Sequence, residues 1–198
     1  RAFCVGSDLK ERAEVGSDMM PPSGFAGLTE RFDLEKPVIA LVHGDAIGGG
    51  LEIILACALA IAVDTARFGL PEPKVGLAAS GGLHRLARQL PLKRAMEISL
   101  MGKLFDATTA SDLGLINEVV PRKSLEKTKE RYLSDLRECS PLALRATKQM
   151  MLQGLAQGSL ENAFRANYPN FQRMLASEDA KEGVQAFAEK RKPVWKCR

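Results

Sequence analysis

The chain has 198 residues, enough for one sizeable core with a helical appendage, and 45% hydrophobic with 26% charged residues is an ordinary globular composition. A net charge of +4 demands no polyanionic partner, and two histidines with four well-separated cysteines (Cys4, Cys57, Cys139, Cys197) argue against a metal site. The apolar run Ile53 to Val63 is too short to span a bilayer, so no membrane partner is expected.

Scattered cysteines fit a reducing compartment, and a cytoplasmic location is expected. The chain starts without an initiator methionine. A targeting segment further upstream, a mitochondrial one included, therefore stays open.

Arg1 to Lys10 reads as a strand end entering a turn at Gly6, where Ser7 or Asp8 can cap a following helix. Glu11 to Phe32 is irregular and polar, with a loop over Met19 to Gly24. Gly27 to Leu34 is expected as a short helix before Pro37. Lys36 to Val63 is the organising stretch: a buried strand over Val38 to Val42, three glycines (Gly48, Gly49, Gly50), and an apolar run whose one charge is Glu52. Glycines before a helix permit close approach to the backbone, and the first N–H groups of the helix lack intrahelical partners. A carboxylate in that first turn then stands beside donors suited to negative charge. Glu52 also has a plainer reading, as a first-turn acid complementing the helix dipole. The spacing fits neither a P-loop nor a dinucleotide fingerprint.

Leu59 to Val63 reads as a second buried strand, and Thr65 to Gly69 as extended. Pro71 and Pro73 stiffen the backbone around Glu72, whose proton affinity desolvation would raise; the plainer reading is a surface turn. Leu83 to Leu90 and Lys93 to Met101 are helical, jointed at Pro91. Asp106 to Leu113 is a helix stopped by Gly114, and Ile116 to Val120 is a strand. Strands alternating with helices argue an α/β class. From Ser124 the pattern is wholly helical, with starts at Ser140-Pro141, Ser159 and Ser177. The spacing of Leu160, Ala163, Phe164, Phe171, Met174 and Leu175 is helical, and their apolar face needs a partner in this chain or another subunit.

Ala2 to Lys10, Lys36 to Glu52, Phe68 to Glu72, Gly81 to Leu86 and Glu182 to Arg191, in this order and spacing, resemble the crotonase (enoyl-CoA hydratase/isomerase) family across essentially the whole chain. The resemblance implies an α/β spiral core of ββα turns over residues 1–121, a helical trimerisation region over 122–198, and further N-terminal strands upstream. It implies an acyl-CoA substrate, with coenzyme A as part of the substrate and no metal or redox cofactor. It also implies a homotrimer or a dimer of trimers. By position, the N–H groups of Ser7 and Gly49 form an oxyanion hole, each such donor worth about 3–4 kcal/mol where charge develops. Glu52 and Glu72 fall on the two carboxylates of the family's hydratases, one activating water and the other supplying the α-proton. Ser7, Asp8, Leu9 and Lys10 match the substrate-binding turn, and Lys190 matches a lysine that reaches the nucleotide end of CoA. For both lysines, solvated surface is the plainer reading.

Gly24 to Glu30, Leu70 to Lys74, Ser177 to Ala180 and Phe187 to Lys196 resemble a branch whose acyl group carries a trimethylammonium. An aromatic content of 6% lends that branch no extra support. Ala58, Ala78, His84 and His43 replace residues common in the family, which bears on loop shape and acyl specificity.

An isomerase is the nearest rival and needs one carboxylate; retention of two favours water chemistry. A non-catalytic RNA-binding or scaffolding role would use Arg122, Lys123, Lys127, Lys129 and Arg131. Glu126 and Glu130 interrupt that series as in a salt-bridged helix, so a nucleic-acid partner is not expected. A two-carboxylate glycosidase lacks its aromatic sugar platform.

Overall fold

A computed structural model describes residues 2–16 and 20–198. Arg1 and Met19, both named above, lie outside the described residues. The chain divides into two compact units, Arg1–Asp33 with Val38–Lys129 and Leu34–Pro37 with Glu130–Arg198.

The first unit is a spiral of strand-strand-helix turns. One turn runs through β1 (Ile39–Val42), β2 (Ala46–Ile47) and α2 (Gly49–Ala56), preceded in the chain by α1 (Leu9–Val15). The next runs through β3 (Leu59–Val63), β4 (Arg67–Gly69), a 3-10 turn (Glu72–Val75), α3 (Leu83–Gln89) and α4 (Leu92–Met101). Then come β5 (Phe105–Asp106), α5 (Ala107–Asp112) and β6 (Glu118–Val120). The first strands of successive turns pair in parallel, in the order β1-β3-β6. The second strands stack likewise: β2 pairs in parallel with β4, and β5 closes that sheet antiparallel. A parallel bridge from Cys4 to Ala46 adds a further strand end to that sheet.

The central strand β3 is apolar throughout, with Ala60, Ile61, Ala62 and Val63 all buried, as expected of a strand covered on both faces. Val42, Leu51, Ile61, Val63, Phe68, Leu70 and Leu86 are fully buried. Phe68 stacks on Phe105 with centroids 5.9 Å apart.

The second unit is helical. The division falls within α6 (Leu125–Arg137), after which come α7 (Pro141–Gly154), α8 (Leu160–Arg165), α9 (Pro169–Leu175) and α10 (Glu178–Ala188). The serines expected at helix starts do cap: Ser140, Ser159 and Ser177 accept from the backbone N–H of Ala143, Asn162 and Ala180. Asp179, 2% exposed, ties the C-terminal tail to α10: its carboxylate accepts from the Lys196 N–H at 2.7 Å, the Cys197 N–H at 3.2 Å and the Ser140 hydroxyl at 3.2 Å. Glu182 accepts from the Val194 N–H and from the Arg191 guanidinium, which holds its carboxyl down to about 2.

Three local expectations are corrected. Residues 27–34 form turns, and the only helical piece there is a 3-10 turn, Phe25–Gly27. Within Glu11 to Phe32, read as irregular, residues 11–15 belong to α1, because the Asp8 side chain accepts from the N–H of Lys10 at 2.9 Å and of Glu11 at 3.4 Å. The apolar spacing from Leu160 to Leu175 is split between α8, which ends where Ala166 turns extended, and α9, which starts at Pro169 after an extended Tyr168. Within the basic series around α6, Lys129 pairs with Glu126 as expected, and beyond the series Arg137 lies 3.9 Å from Glu130.

Candidate active site

Stacking of the second strands builds the site. Cys4 aligns with Ala46 and Ala46 with Phe68, so the residues just beyond each strand lie side by side. Ser7 follows the first strand end, Gly48 and Gly49 follow β2, and Glu72 follows β4. Hydrogen bonds lock the register: the Ile47 N–H donates to Cys4 O at 2.9 Å, and the Gly48 N–H to Gly69 O at 2.9 Å. Residues far apart in sequence thus meet at one end of the sheet.

The glycines are required by that closeness. A Cβ on Gly50 would stand 2.0 Å from Cys4 O, and one on Gly6 3.3 Å from the Gly49 nitrogen. Gly48 has φ +58 and caps α2 without a side chain. The Gly49 N–H, in the first turn of α2, has no intrahelical partner. Among the described residues, neither it nor the Ser7 N–H donates to another group.

Glu52 lies one turn further along α2 and is 7% exposed. Its carboxylate packs on the backbone of Gly81 and Gly82, where a Cβ would meet its oxygens at 3.2 and 3.4 Å. Burial pushes its proton affinity up, and the negative charge of Glu72 pushes it further; the Gly81 and Gly82 N–H groups offset part of this. Glu72, half-buried, lies against Gly48, and burial raises its proton affinity as well. Glu52 Oε1 and Glu72 Oε2 are buried with no partner among the described residues. A buried polar atom without a partner costs about 1–3 kcal/mol, a cost that persists where function retains it.

Four expected site residues are therefore brought together: Ser7, Gly49, Glu52 and Glu72. Asp8 is engaged as the α1 cap, and Leu9 and Lys10 are exposed on the first turn of α1. Lys190 belongs to the second unit, exposed and in the left-handed conformation with φ +54. Two features escaped the sequence reading. Gly81 and Gly82 carry the N–H groups beside Glu52, signalled only by a Gly-Gly pair. Phe25 presses its ring edge on Gly49, with Cε1 2.4 Å from where a Cβ would stand. The described residues include no group of three or more His, Cys, Asp or Glu side chains placed to hold a metal ion.

The family model described as enoyl-CoA hydratase/isomerase matches residues 1–198. The chain belongs to the enoyl-CoA hydratase/isomerase family. Carnitinyl-CoA dehydratase of Citrobacter koseri is 42% identical over 206 aligned positions, covering 99% of this chain and 77% of that protein. The carnitinyl-CoA dehydratase of Salmonella typhi is 41% identical with the same coverage. Among solved structures, the enoyl-CoA hydratase EchA1 from Mycobacterium marinum superposes with a TM-score of 0.90 at 37% identity, covering 100% of this chain and 77% of that one. An enoyl-CoA hydratase from Mycobacterium tuberculosis H37Rv superposes at 0.88 with 36% identity, covering 100% and 77%. The spiral of ββα turns is the crotonase fold, and the family is one of enzymes acting on acyl-CoA thioesters. Within this family the stacked strand-to-helix junctions take on chemical meaning, because they gather two amide donors and two carboxylates at one place.

Proposed function

We propose that this protein is an acyl-CoA hydratase/dehydratase, adding water to, or removing it from, the 2,3 double bond of an enoyl-CoA thioester. One observation carries the proposal: a buried carboxylate, Glu52, and a half-buried one, Glu72, both of raised proton affinity, flank the turn that presents the Gly49 amide. The charge of Glu72 adds to the proton affinity of Glu52, which favours one carboxyl ionised while the other holds its proton.

In hydration, the thioester oxygen accepts from the Ser7 and Gly49 N–H groups. Glu52, as carboxylate, takes a proton from water while the oxygen of that water bonds to C3. The alkene electrons move toward the thioester, and the enolate oxygen is held by the two amides. Glu72, as carboxylic acid, then delivers its proton to C2. Dehydration runs the same steps backwards. General acid–base work of this kind contributes about 10²–10⁴-fold per group. No metal or redox cofactor enters this scheme, since coenzyme A arrives as part of the substrate.

The ends of the substrate are assigned by family likeness. The turn Ser7-Asp8-Leu9-Lys10 borders the pantetheine, and Lys190 reaches toward the nucleotide, across subunits in a homotrimer or dimer of trimers. Exposed apolar side chains in the second unit, such as Phe164 at 85% and Phe187 at 87%, support self-association. No helix of the described chain is long and apolar enough to cross a membrane, and the reported relatives are bacterial; we place the protein in the cytoplasm. By likeness to the carnitinyl-CoA dehydratases, crotonobetainyl-CoA is the first acyl-CoA to try.

The experiment is a panel of crotonyl-CoA and crotonobetainyl-CoA, followed by absorbance of the conjugated thioester, for the parent, Glu52→Gln and Glu72→Gln. Loss in both variants supports the reading. Rates equal to the parent in both variants overturn it, and migration of the double bond without water uptake would make the enzyme an isomerase.

A further inference from the structure

Resting on the hydratase reading, we infer that Phe25 is the residue that sets how long an acyl chain this site accepts. Its ring stands where Gly49, an oxyanion donor, would carry a side chain: Cε1, Cζ and Cδ1 lie 2.4, 2.7 and 2.8 Å from that Cβ position. The ring therefore bounds the space beside the thioester oxygen. The other surroundings of this turn are known: Gly6 lies against the Gly49 nitrogen, Glu72 lies against the adjacent Gly48, and Glu52 lies one helical turn along. The Ser7 turn leads into α1 and Lys10, the side assigned to coenzyme A. The carboxylates mark the two alkene carbons. What remains for the chain beyond C3 is the side that Phe25 closes.

The ring is held by a loop of defined shape. The Gly24 N–H donates to Pro21 O at 2.8 Å, the Glu30 N–H to Ser23 O at 2.9 Å, and the Thr29 N–H to Phe25 O at 3.2 Å. Gly24 has φ +75 and no room for a side chain, its Cβ position lying 2.8 Å from the Glu30 nitrogen. Ala26, at φ +54, is one of only a few non-glycine residues with positive φ among the described residues. Backbone held in sparsely populated regions persists where the surroundings over-determine it. A phenyl ring on such a mount is a fixed wall, and apolar walls discriminate by volume.

The test is the ratio of kcat/KM for trans-2-decenoyl-CoA to that for crotonyl-CoA, in the parent, Phe25→Ala, Phe25→Val and Phe25→Leu, with thermal unfolding of each. The expected result is a ratio raised about tenfold or more by Ala, raised less by Val, and nearly unchanged by Leu, which keeps most of the volume. Val carries the test if the Ala variant fails to fold. An equal fall of kcat on both substrates means that the ring only props Gly49, and an equal rise of KM means that it faces the pantetheine; either overturns the inference and leaves the hydratase reading standing. Absence of hydration by the parent on any enoyl-CoA overturns the hydratase reading, and this inference with it.

Discussion

The Glu72 carboxylate lies against the backbone of Gly48, so close that a methyl group on Gly48 would stand 2.8 Å from Glu72 Oε1. The turn that presents the Gly49 amide and the acid that follows β4 thus define one another's position. Gly48→Ala must both adopt φ +58 and displace Glu72. A residue forced into such backbone costs about 1–3 kcal/mol. The expected outcome is a lower Tm with kcat on crotonyl-CoA down more than tenfold, read by calorimetry and steady-state kinetics on one preparation.

The raised proton affinities of Glu52 and Glu72 make a prediction about stability with a definite sign. Both carboxyls hold protons more tightly folded than at the ordinary value of 4.5. Between that value and the raised ones the folded state binds more protons than the unfolded, so stability falls as pH rises through this window. Glu52→Gln removes a desolvated charge and its repulsion with Glu72. It should abolish hydration and yet unfold at a higher temperature than the parent at pH 8, the gap closing as pH falls toward 4. A Gln variant less stable than the parent at pH 8 contradicts the assignment.

The same shifts govern rate. Because the pair needs one carboxyl ionised and one protonated, kcat/KM should trace a bell against pH, with its acid limb above the ordinary carboxylate range. Glu72→Gln should leave no more than about a hundredth of the parent rate, by the usual weight of a single general acid.

Asp8 separates two roles. In the structure it caps α1, accepting from the Lys10 and Glu11 N–H groups. Losing such a cap costs about 1 kcal/mol. If Asp8 serves acyl-CoA binding only by holding α1 in place, Asp8→Asn keeps the parent KM while Asp8→Ala raises it several-fold. A matching rise in both variants would point to direct contact with the substrate.

Asp179 predicts a failure far from the chemistry. Removing its carboxylate strands the Lys196 and Cys197 N–H groups and the Ser140 hydroxyl. Unpaired buried groups cost about 1–3 kcal/mol each, so Asp179→Ala should lose stability and expose the C-terminal tail to trypsin at Lys196. Limited proteolysis with mass readout checks this.

Much of the secondary structure was legible because its causes are local. Ser140, Ser159, Ser177 and Asp8 mark helix starts through their own hydroxyl or carboxyl oxygens, and Gly114 stops α5 by adopting φ +77. The β2 strand was not legible. Two residues, Ala46 and Ile47, carry no period of their own, and pairing with Cys4 and β4 alone makes them a strand. The break before Pro169 was written in the chain but masked by apolar spacing that runs through it.

By itself the sequence determined the α/β class, the capped helices, the glycine turn and the family likeness that singles out Glu52 and Glu72. These follow from side-chain size, backbone freedom and the order of motifs. Only the tertiary structure decided that Ser7, Gly49 and Glu72 are neighbours, that Glu52 is desolvated against Gly81 and Gly82, and that the Phe25 ring closes on Gly49. Desolvation and coupling between charges depend on what surrounds a group in space, and parallel stacking of successive spiral turns, rather than proximity along the chain, sets those surroundings.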